Sequence, residues 1–305
     1  MARVLTLGIT VLDTVLGLAR LPSGGGKHYA RARAEVVGGI AANAAIAIVR
    51  LGGEALLASR FGDDLVGERL QAELAATGVD TSRVEWLGSV ASSISTILVD
   101  DKGERLLVNH SDPALFHGPA SPFDDLVVDA VMTDTLWPDG AIPALQRARA
   151  LAVPGVLDFD RVPRRMTGEL LAAASHVVFG QQGLEAFAGT TSIETGLRSA
   201  ARQTDAWLAC TAGGDGVYWL DGAALRHLPA FPIEAVDTLG AGDVFHGAFA
   251  LALGEGRGIE ASLRFASAAA ALKCTGFGSG AMSPGRAEVE RFLVEQSDLP
   301  VVEPR

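Results

Sequence analysis

The stretch "DTLGAGDVFHGAFALAL", residues 237–253, places a run of small residues and a carboxylate at the start of an apolar helix. Asp237 and Thr238 open it, Gly240, Ala241 and Gly242 carry almost no side chain, and Asp243 follows. Val244, Phe245, Ala248, Phe249, Leu251, Ala252 and Leu253 then recur mostly at helical spacing. Small residues before a helix let the backbone turn tightly and approach a ligand. The first amides of a helix have no intrahelical partner and form a ready anion site. Asp243 has two readings there: a helix cap, or a general base beside a bound phosphate.

Other residues raise the same choice between plain structure and chemistry. Asp13 follows an apolar, strand-like run, where a turn former is expected. Gly38 and Gly39 precede an Ala-rich helix that contains Asn43, a polar residue poorly suited to a helix interior. Lys27 follows Gly24, Gly25 and Gly26 and reads by itself as a surface charge. Gly213, Gly214 and Gly216 flank Asp215, which suits a tight hairpin turn. Cys210 and Cys274 sit in apolar runs and read as buried free thiols, with no disulfide framework or zinc site.

The chain that must position these groups has 305 residues, 49% hydrophobic and 20% charged, enough for a sizeable core. Its net charge of −11 argues against a nucleic-acid surface. It does not argue against a small anionic substrate, because a few local cations can dominate a pocket. No apolar run reaches the ~18–20 residues of a membrane span. The apolar N-terminus is interrupted by Asp13 and shows no small-residue cleavage site, so it reads as the first strand of a cytoplasmic protein.

Along the chain, "RVLTLGITVLD" reads as one strand ending in a turn, and "IAANAAIAIVRLG" as a helix with a glycine stop. "SSISTILVDDKGERLLVNH" reads as a hairpin, and "GVYWLDGAALRHLPA" as a second one. From residue 126 strands and helices alternate, and helices are expected at 242–254, 259–274 and 285–296. Such alternation implies an α/β fold with a mostly parallel sheet and helices on both faces. The β-rich patches at 10–36 and 88–112 break the alternation and read as a small β lid inserted into one domain spanning 1–305. Ligands in such folds bind at the carboxyl ends of the strands, where a lid excludes water.

Three motifs in order resemble the PfkB/ribokinase carbohydrate kinases. "DTLGAGDVFHGAF" resembles their C-terminal signature, "VVGGIAANAAIAIVRLG" their N-terminal Gly-Gly and Asn signature, and "CTAGGDGVYW" their nucleotide-side glycine loop. Within the family, "GITVLD", "LPSGGGKHYARARAEVVGGIAANAA", "DTLWPDGA" and "SLRFASAAAALKCT" resemble the sulfofructose kinases. The resemblance implies a ribokinase-like three-layer αβα sandwich and transfer of the ATP γ-phosphoryl group to a ketose-type sugar. 6-Deoxy-6-sulfofructose, giving its 1-phosphate, is the sugar it points to. It makes Asp243 the base and the amides of Gly240, Ala241, Gly242 and Asp243 the anion hole.

By the same resemblance Asp13, Gly38, Gly39 and Asn43 hold the sugar, and Lys27 with Asn109, both expected on lid strands, holds its anionic end. Thr211, Gly213 and Gly216 lie near the ATP phosphates and ribose, and Ala271 and Cys274 near the adenine. Asp237, with the loop 276–283, resembles the family's monovalent-cation (K+) site. Mg2+ is expected with ATP, and a homodimer is expected through the lid. Two departures stand out. Gly180 and Gly183 in "FGQQGLE" replace an Asn and Glu pair that organises magnesium in many members. Leu136 stands where sulfofructose kinases carry an Arg. The alternatives are a kinase for fructose, a phosphorylated sugar, 2-keto-3-deoxygluconate or a nucleoside, and a non-catalytic sugar sensor. A Rossmann dehydrogenase is disfavoured because no Gly-x-Gly-x-x-Gly opens the first helix.

Overall fold

The computed structural model describes residues 1–160, 166–276, 278 and 280–303. Its main sheet has eight strands. In spatial order they are β14 (Ala224–Leu228), β13 (Val217–Asp221), β12 (Trp207–Thr211), β11 (His176–Gly180), β10 (Gly155–Phe159), β9 (Ala130–Thr133), β1 (Arg3–Leu7) and β4 (Glu54–Ala58). The six from β12 to β4 run parallel, and β13 and β14 form the antiparallel hairpin read from the sequence.

Side chains along the parallel strands alternate between two cores, as strand geometry requires. Val4, Leu57, Met132, Val156, Val178 and Ala209 face one core. That core is completed by α1 (Ile40–Arg50), α2 (Leu65–Thr77), α7 (Ala241–Gly254), α8 (Ile259–Cys274) and α9 (Arg286–Glu295). Leu5, Leu56, Val131, Leu157, Val177 and Leu208 face the other. It is closed by α3 (Pro138–Ala150), α4 (Thr167–Ala173), α5 (Gln181–Ala188) and α6 (Ile193–Ala200). Three layers result.

Small residues explain how α1 and α7 come together at the middle of the first core. Ala41, Ala42, Ala44 and Ala45 are all fully buried. A Cβ on Gly247 of α7 would lie 2.6 Å from the Ala44 carbonyl oxygen of α1. This close approach brings one turn of α1 beside the N-terminus of α7.

The two β-rich patches pair in a separate four-stranded sheet. Its order is β3 (Ala32–Gly38), β2 (Val11–Gly17), β7 (Ile94–Val99) and β8 (Arg105–His110). The pairing β2–β7 is parallel and joins the two patches, while the flanking pairs are antiparallel. A two-stranded parallel pair, β5 (Arg60–Gly62) and β6 (Glu85–Leu87), lies between them in sequence.

Two expectations are corrected here. "RVLTLGITVLD" is two strands, β1 in the main sheet and β2 in the small one, with the break at 8–10. Gly8 makes the break possible, since a Cβ there would meet the Asp134 carboxylate at 1.9 Å. Asp13 therefore lies inside a strand of the small sheet, not at the end of a main-sheet strand. Lys27 falls in the irregular segment 18–31 between β2 and β3, not on a strand.

Candidate active site

Gly240 takes the left-handed conformation, φ +74°, and turns the chain into α7. No side chain caps that helix, so the cap reading of Asp243 does not describe it. The Asp243 carboxylate instead accepts a hydrogen bond from Asn43 Nδ2 at 2.7 Å. Asn43 is buried on α1, and its Oδ1 accepts from the Gly280 amide at 3.1 Å. A Cβ on Gly280 would stand 2.7 Å from that oxygen. The polar residue in the Ala-rich helix thus ties the start of α7 to the loop after α8. Burial pushes the Asp243 carboxyl above the usual carboxylate range, while the Asn43 amide and the Lys273 ammonium draw it back. His246, one turn on, has Nδ1 2.7 Å from the Gly242 carbonyl oxygen and 3.1 Å from Asp158 Oδ2. Burial lowers its pKa to about 4, so it stays neutral.

On one side of this helix start lies a cavity of about 810 Å³. Ala241 and Gly242 line it, together with Thr211, Gly213, Gly216, Ala271 and Cys274. All five residues expected near the nucleotide therefore share one cavity. Apolar side chains in its wall include Val217, Ala230, Phe231 and Ala270. Gly213 and Gly216 have φ of +54° and +95°. A Cβ on Gly216 would stand 2.2 Å from the Leu228 carbonyl oxygen, so the β12–β13 turn admits only glycine there. Gly180, Gln181, Gln182 and Asp160 line the cavity as well. Gly183 has no room for a side chain: its Cβ would be 2.5 Å from the Phe159 carbonyl oxygen. Among the described residues no three carboxylate, His or Cys groups converge on a metal site.

The small sheet supplies the other side. Asp13 is 7% exposed, and its carboxylate lies directly over Gly38, where a Cβ would be 1.9 Å from Oδ2. Burial first, and then the nearby Asp243 charge, push the Asp13 pKa up to about 7, with Ser95 offsetting part of the rise. Gly39 takes φ +95°, and a Cβ there would meet the Ile9 carbonyl oxygen at 2.5 Å. Strand register puts Val36, Asp13, Ser95 and Asn109 in one row across the sheet. Residues directly paired across strands point to the same face, so Asn109 shares Asp13's face, two strands away. Asn109 and Lys27 are both exposed. Leu136, at the Arg departure, is 39% exposed and donates its amide to Asp134 Oδ1 at 2.9 Å. Asp134 Oδ2 accepts from the Ile9 amide at 2.7 Å.

Three groups near the site escaped the sequence reading. Arg105 of β8 donates to Thr238 Oγ1 at 2.6 Å and stands 3.6 Å from Asp237 Oδ1. Lys273 of α8 is fully buried and donates to the Asp237 carbonyl oxygen at 2.9 Å. Asp134, fully buried, has its pKa raised to about 6 by burial. Asp237 itself accepts from the amides of Leu239 at 2.9 Å and Gly278 at 3.0 Å. Positions 277 and 279 of the expected cation loop lie outside the described residues.

Comparison with known proteins gives one consistent picture. The family model described as pfkB family carbohydrate kinase matches residues 1–286. The ribokinase of Bacillus subtilis (strain 168) is 29% identical over 299 residues, covering 96% of this chain and all of the relative. The ATP-dependent ribose-1-phosphate kinase of Halopiger xanaduensis is 31% identical over 306 residues, covering 98% of this chain and all of the relative. A crystal structure from Agrobacterium tumefaciens, named there as a candidate ribokinase, superposes with a TM-score of 0.93 at 38% identity. That match covers 97% of this chain and 99% of the other. The Arabidopsis thaliana ribokinase complexed with ribose and ATP shares the fold, with a TM-score of 0.83 at 23% identity over 96% of this chain and 98% of the other.

Proposed function

Because the chain belongs to the pfkB family of carbohydrate kinases, and is an ATP-dependent sugar kinase with a ribokinase-like α/β fold, we propose how its site performs the transfer and which sugar it takes. ATP occupies the cavity of about 810 Å³, its base against the apolar wall near Ala271 and Cys274 and its phosphates towards Gly213 and Gly242. The sugar lies between Asp13 and Asp243. The observation that carries this reading is the start of α7, where the amides of Gly242 and Asp243 have no capping side chain, the Asp243 carboxylate stands beside them, and Ala241 and Gly242 line the cavity wall.

Asp243 accepts the proton of the reacting hydroxyl as its oxygen attacks the γ-phosphorus. The amides at the start of α7 hold the negative oxygens of the transferring group, where positioning and charge neutralisation matter most. Asn43 fixes the carboxylate's orientation through the 2.7 Å bond. Asp13 accepts hydrogen bonds from two sugar hydroxyls. Mg2+ fits the wall at Asp160, since it is ordinarily held by one or two carboxylates and substrate phosphates. When bound there it would neutralise phosphate charge.

For the sugar we infer a ketose with an anionic end, of which 6-deoxy-6-sulfofructose, phosphorylated at its 1-hydroxyl, is the specific case. Support comes from Asn109 in Asp13's row and from Lys27 on the segment that leaves β2. A second reading, a pentose or its phosphate, draws on Leu136 in place of the Arg and on the named activities of the two curated relatives. The test is steady-state kinetics of wild type and Lys27→Ala on sulfofructose, fructose 6-phosphate, fructose, 2-keto-3-deoxygluconate, ribose and ribose 1-phosphate. Preference for sulfofructose, with a KM rise on Lys27→Ala that spares neutral sugars, supports the first reading. Preference for a neutral sugar, with all substrates equally affected, returns Lys27 to a surface charge.

The small sheet is proposed to act as a lid and as a dimer interface. Its β8 edge is unpaired among the described residues and carries Leu106, Leu107 and Val108, with Ile94 adjacent on β7, all exposed. Exposed apolar edges of this kind are ordinarily covered.

A further inference from the structure

Lys273 is a charged side chain with no contact to solvent. It sits at the end of α8, beneath the loop that leads from Asp237 into α7. Its Nζ donates to the Asp237 carbonyl oxygen at 2.9 Å and stands 3.7 Å from Asp237 Oδ2. Arg105 approaches the same carboxylate from the small sheet, at 3.6 Å from Oδ1. Burying an ammonium is costly, and a well-packed apolar residue of similar size often does as well or better for stability. A buried lysine directly behind the anion-binding turn therefore asks for a role in that turn.

The family resemblance assigns Asp237 to a soluble monovalent cation. The residues present do not fit that ion. The carbonyl and carboxylate oxygens of Asp237 that would hold it already face an ammonium of similar size and equal charge. A second cation on those oxygens would sit within a few ångströms of the first, and burial magnifies their repulsion. The carboxylate's remaining bonds go to the Leu239 and Gly278 amides, which fix the loop's course.

We propose that the Lys273 ammonium is this kinase's built-in monovalent cation, positioning the 237–243 turn and making turnover independent of K+ and Na+. The proposal rests on the reading of that turn as the anion hole. It explains why the field of Lys273 is felt at Asp243, whose carboxyl it draws downward. Lys273 is a positioning residue: it touches the loop and not the reacting atoms.

The test compares wild type and Lys273→Ala in potassium, sodium, ammonium and choline chlorides at matched ionic strength. Turnover with ATP and the melting temperature are both read. Wild type should show equal turnover and equal Tm in all four salts. Lys273→Ala should lose roughly tenfold to a hundredfold in kcat in choline. It should regain much of this, and gain a Tm increment, in potassium or ammonium, because the vacated space takes an ion of that size. A several-fold potassium activation or Tm shift of wild type overturns the proposal, as does full turnover of Lys273→Ala in choline. Should Lys273→Ala fail to fold, the wild-type salt comparison still decides. Should no sugar be turned over, the anion-hole reading fails on its own, and the Tm arm still reports on cation binding.

Discussion

Asn43 donates to Asp243 at 2.7 Å across 200 residues of sequence, and its other amide atom accepts from Gly280. One side chain on α1 thereby sets the orientation of the Asp243 carboxylate and the course of the loop behind it. Removing the proposed base while keeping its shape, Asp243→Asn, should leave the fold and ATP binding intact. It should lower kcat by about 10²–10⁴-fold. Calorimetric ATP binding and single-turnover kinetics check both halves; near-normal kcat would end the assignment.

Asn43→Ala should act through Asp243. The Asn43 hydrogen bond holds the Asp243 carboxyl down against the effect of burial. Without it the base protonates at higher pH, so the acid limb of the kcat–pH profile should move upward as kcat falls. A drop in kcat with an unmoved limb would assign Asn43 to sugar contact alone.

Gly38→Ala should raise the sugar KM by roughly tenfold or more, the loss of a hydrogen bond to a charged group, and leave the ATP KM unchanged. The added Cβ would stand 1.9 Å from Asp13 Oδ2, and the φ of Gly38 itself is one any residue adopts. The carboxylate must therefore move. An unchanged sugar KM would show that Asp13 does not contact the sugar.

Asp13 also predicts a pH dependence of stability. Its carboxyl ionises near 7 in the folded chain, against 3.8 as the ordinary value. Between those values the folded state holds the extra proton, so this group's contribution to stability is full below about 4 and is lost as pH rises through 7. Asp13→Asn should raise the Tm of the ligand-free protein by several degrees at pH 8, with the gain shrinking towards pH 4, while sugar affinity falls. Thermal melts across that range give the sign directly, and a Tm gain independent of pH would refute it.

The exposed Leu106, Leu107 and Val108 predict self-association. Val108→Asp should shift the protein to monomer in light scattering at micromolar concentration, with the sugar KM rising more than the ATP KM. A wild-type monomer with full activity would remove the interface.

Much of the main sheet and the active-site helix was readable because their signals are local. The alternation of strands and helices, and the Gly-Ala-Gly-Asp turn, depend on neighbours in sequence. Asp13 was misplaced because a strand that leaves one sheet for another keeps the same apolar pattern on both sides of Gly8. Lys27 was assigned to a strand for want of any signal separating an irregular segment from a β edge. Lys273 was invisible for a different reason. A lysine in the last turn of a helix reads as an ordinary partner of the helix dipole, and only the packing of the 237 loop over it removes the solvent. Nothing in the sequence around Arg105 marks it, since its partner Thr238 lies far along the chain and is brought to it only by the fold.

The dependence of the site on residues so far apart has a consequence for the chain during its synthesis. Translation delivers Asp13, the double glycine and Asn43 early, and the parallel β2–β7 pairing can close once residue 99 has emerged. Asp243, the free amides at the start of α7 and the buried Lys273 ammonium arrive only with residues 237–274. With those residues in the roles proposed above, a ribosome-bound chain stopped before that point would hold part of the sugar cradle and nothing to direct a phosphoryl transfer. Given those proposed roles, the order of the elements along the chain would keep nascent molecules from hydrolysing ATP until the last quarter of the sequence folds back onto α1.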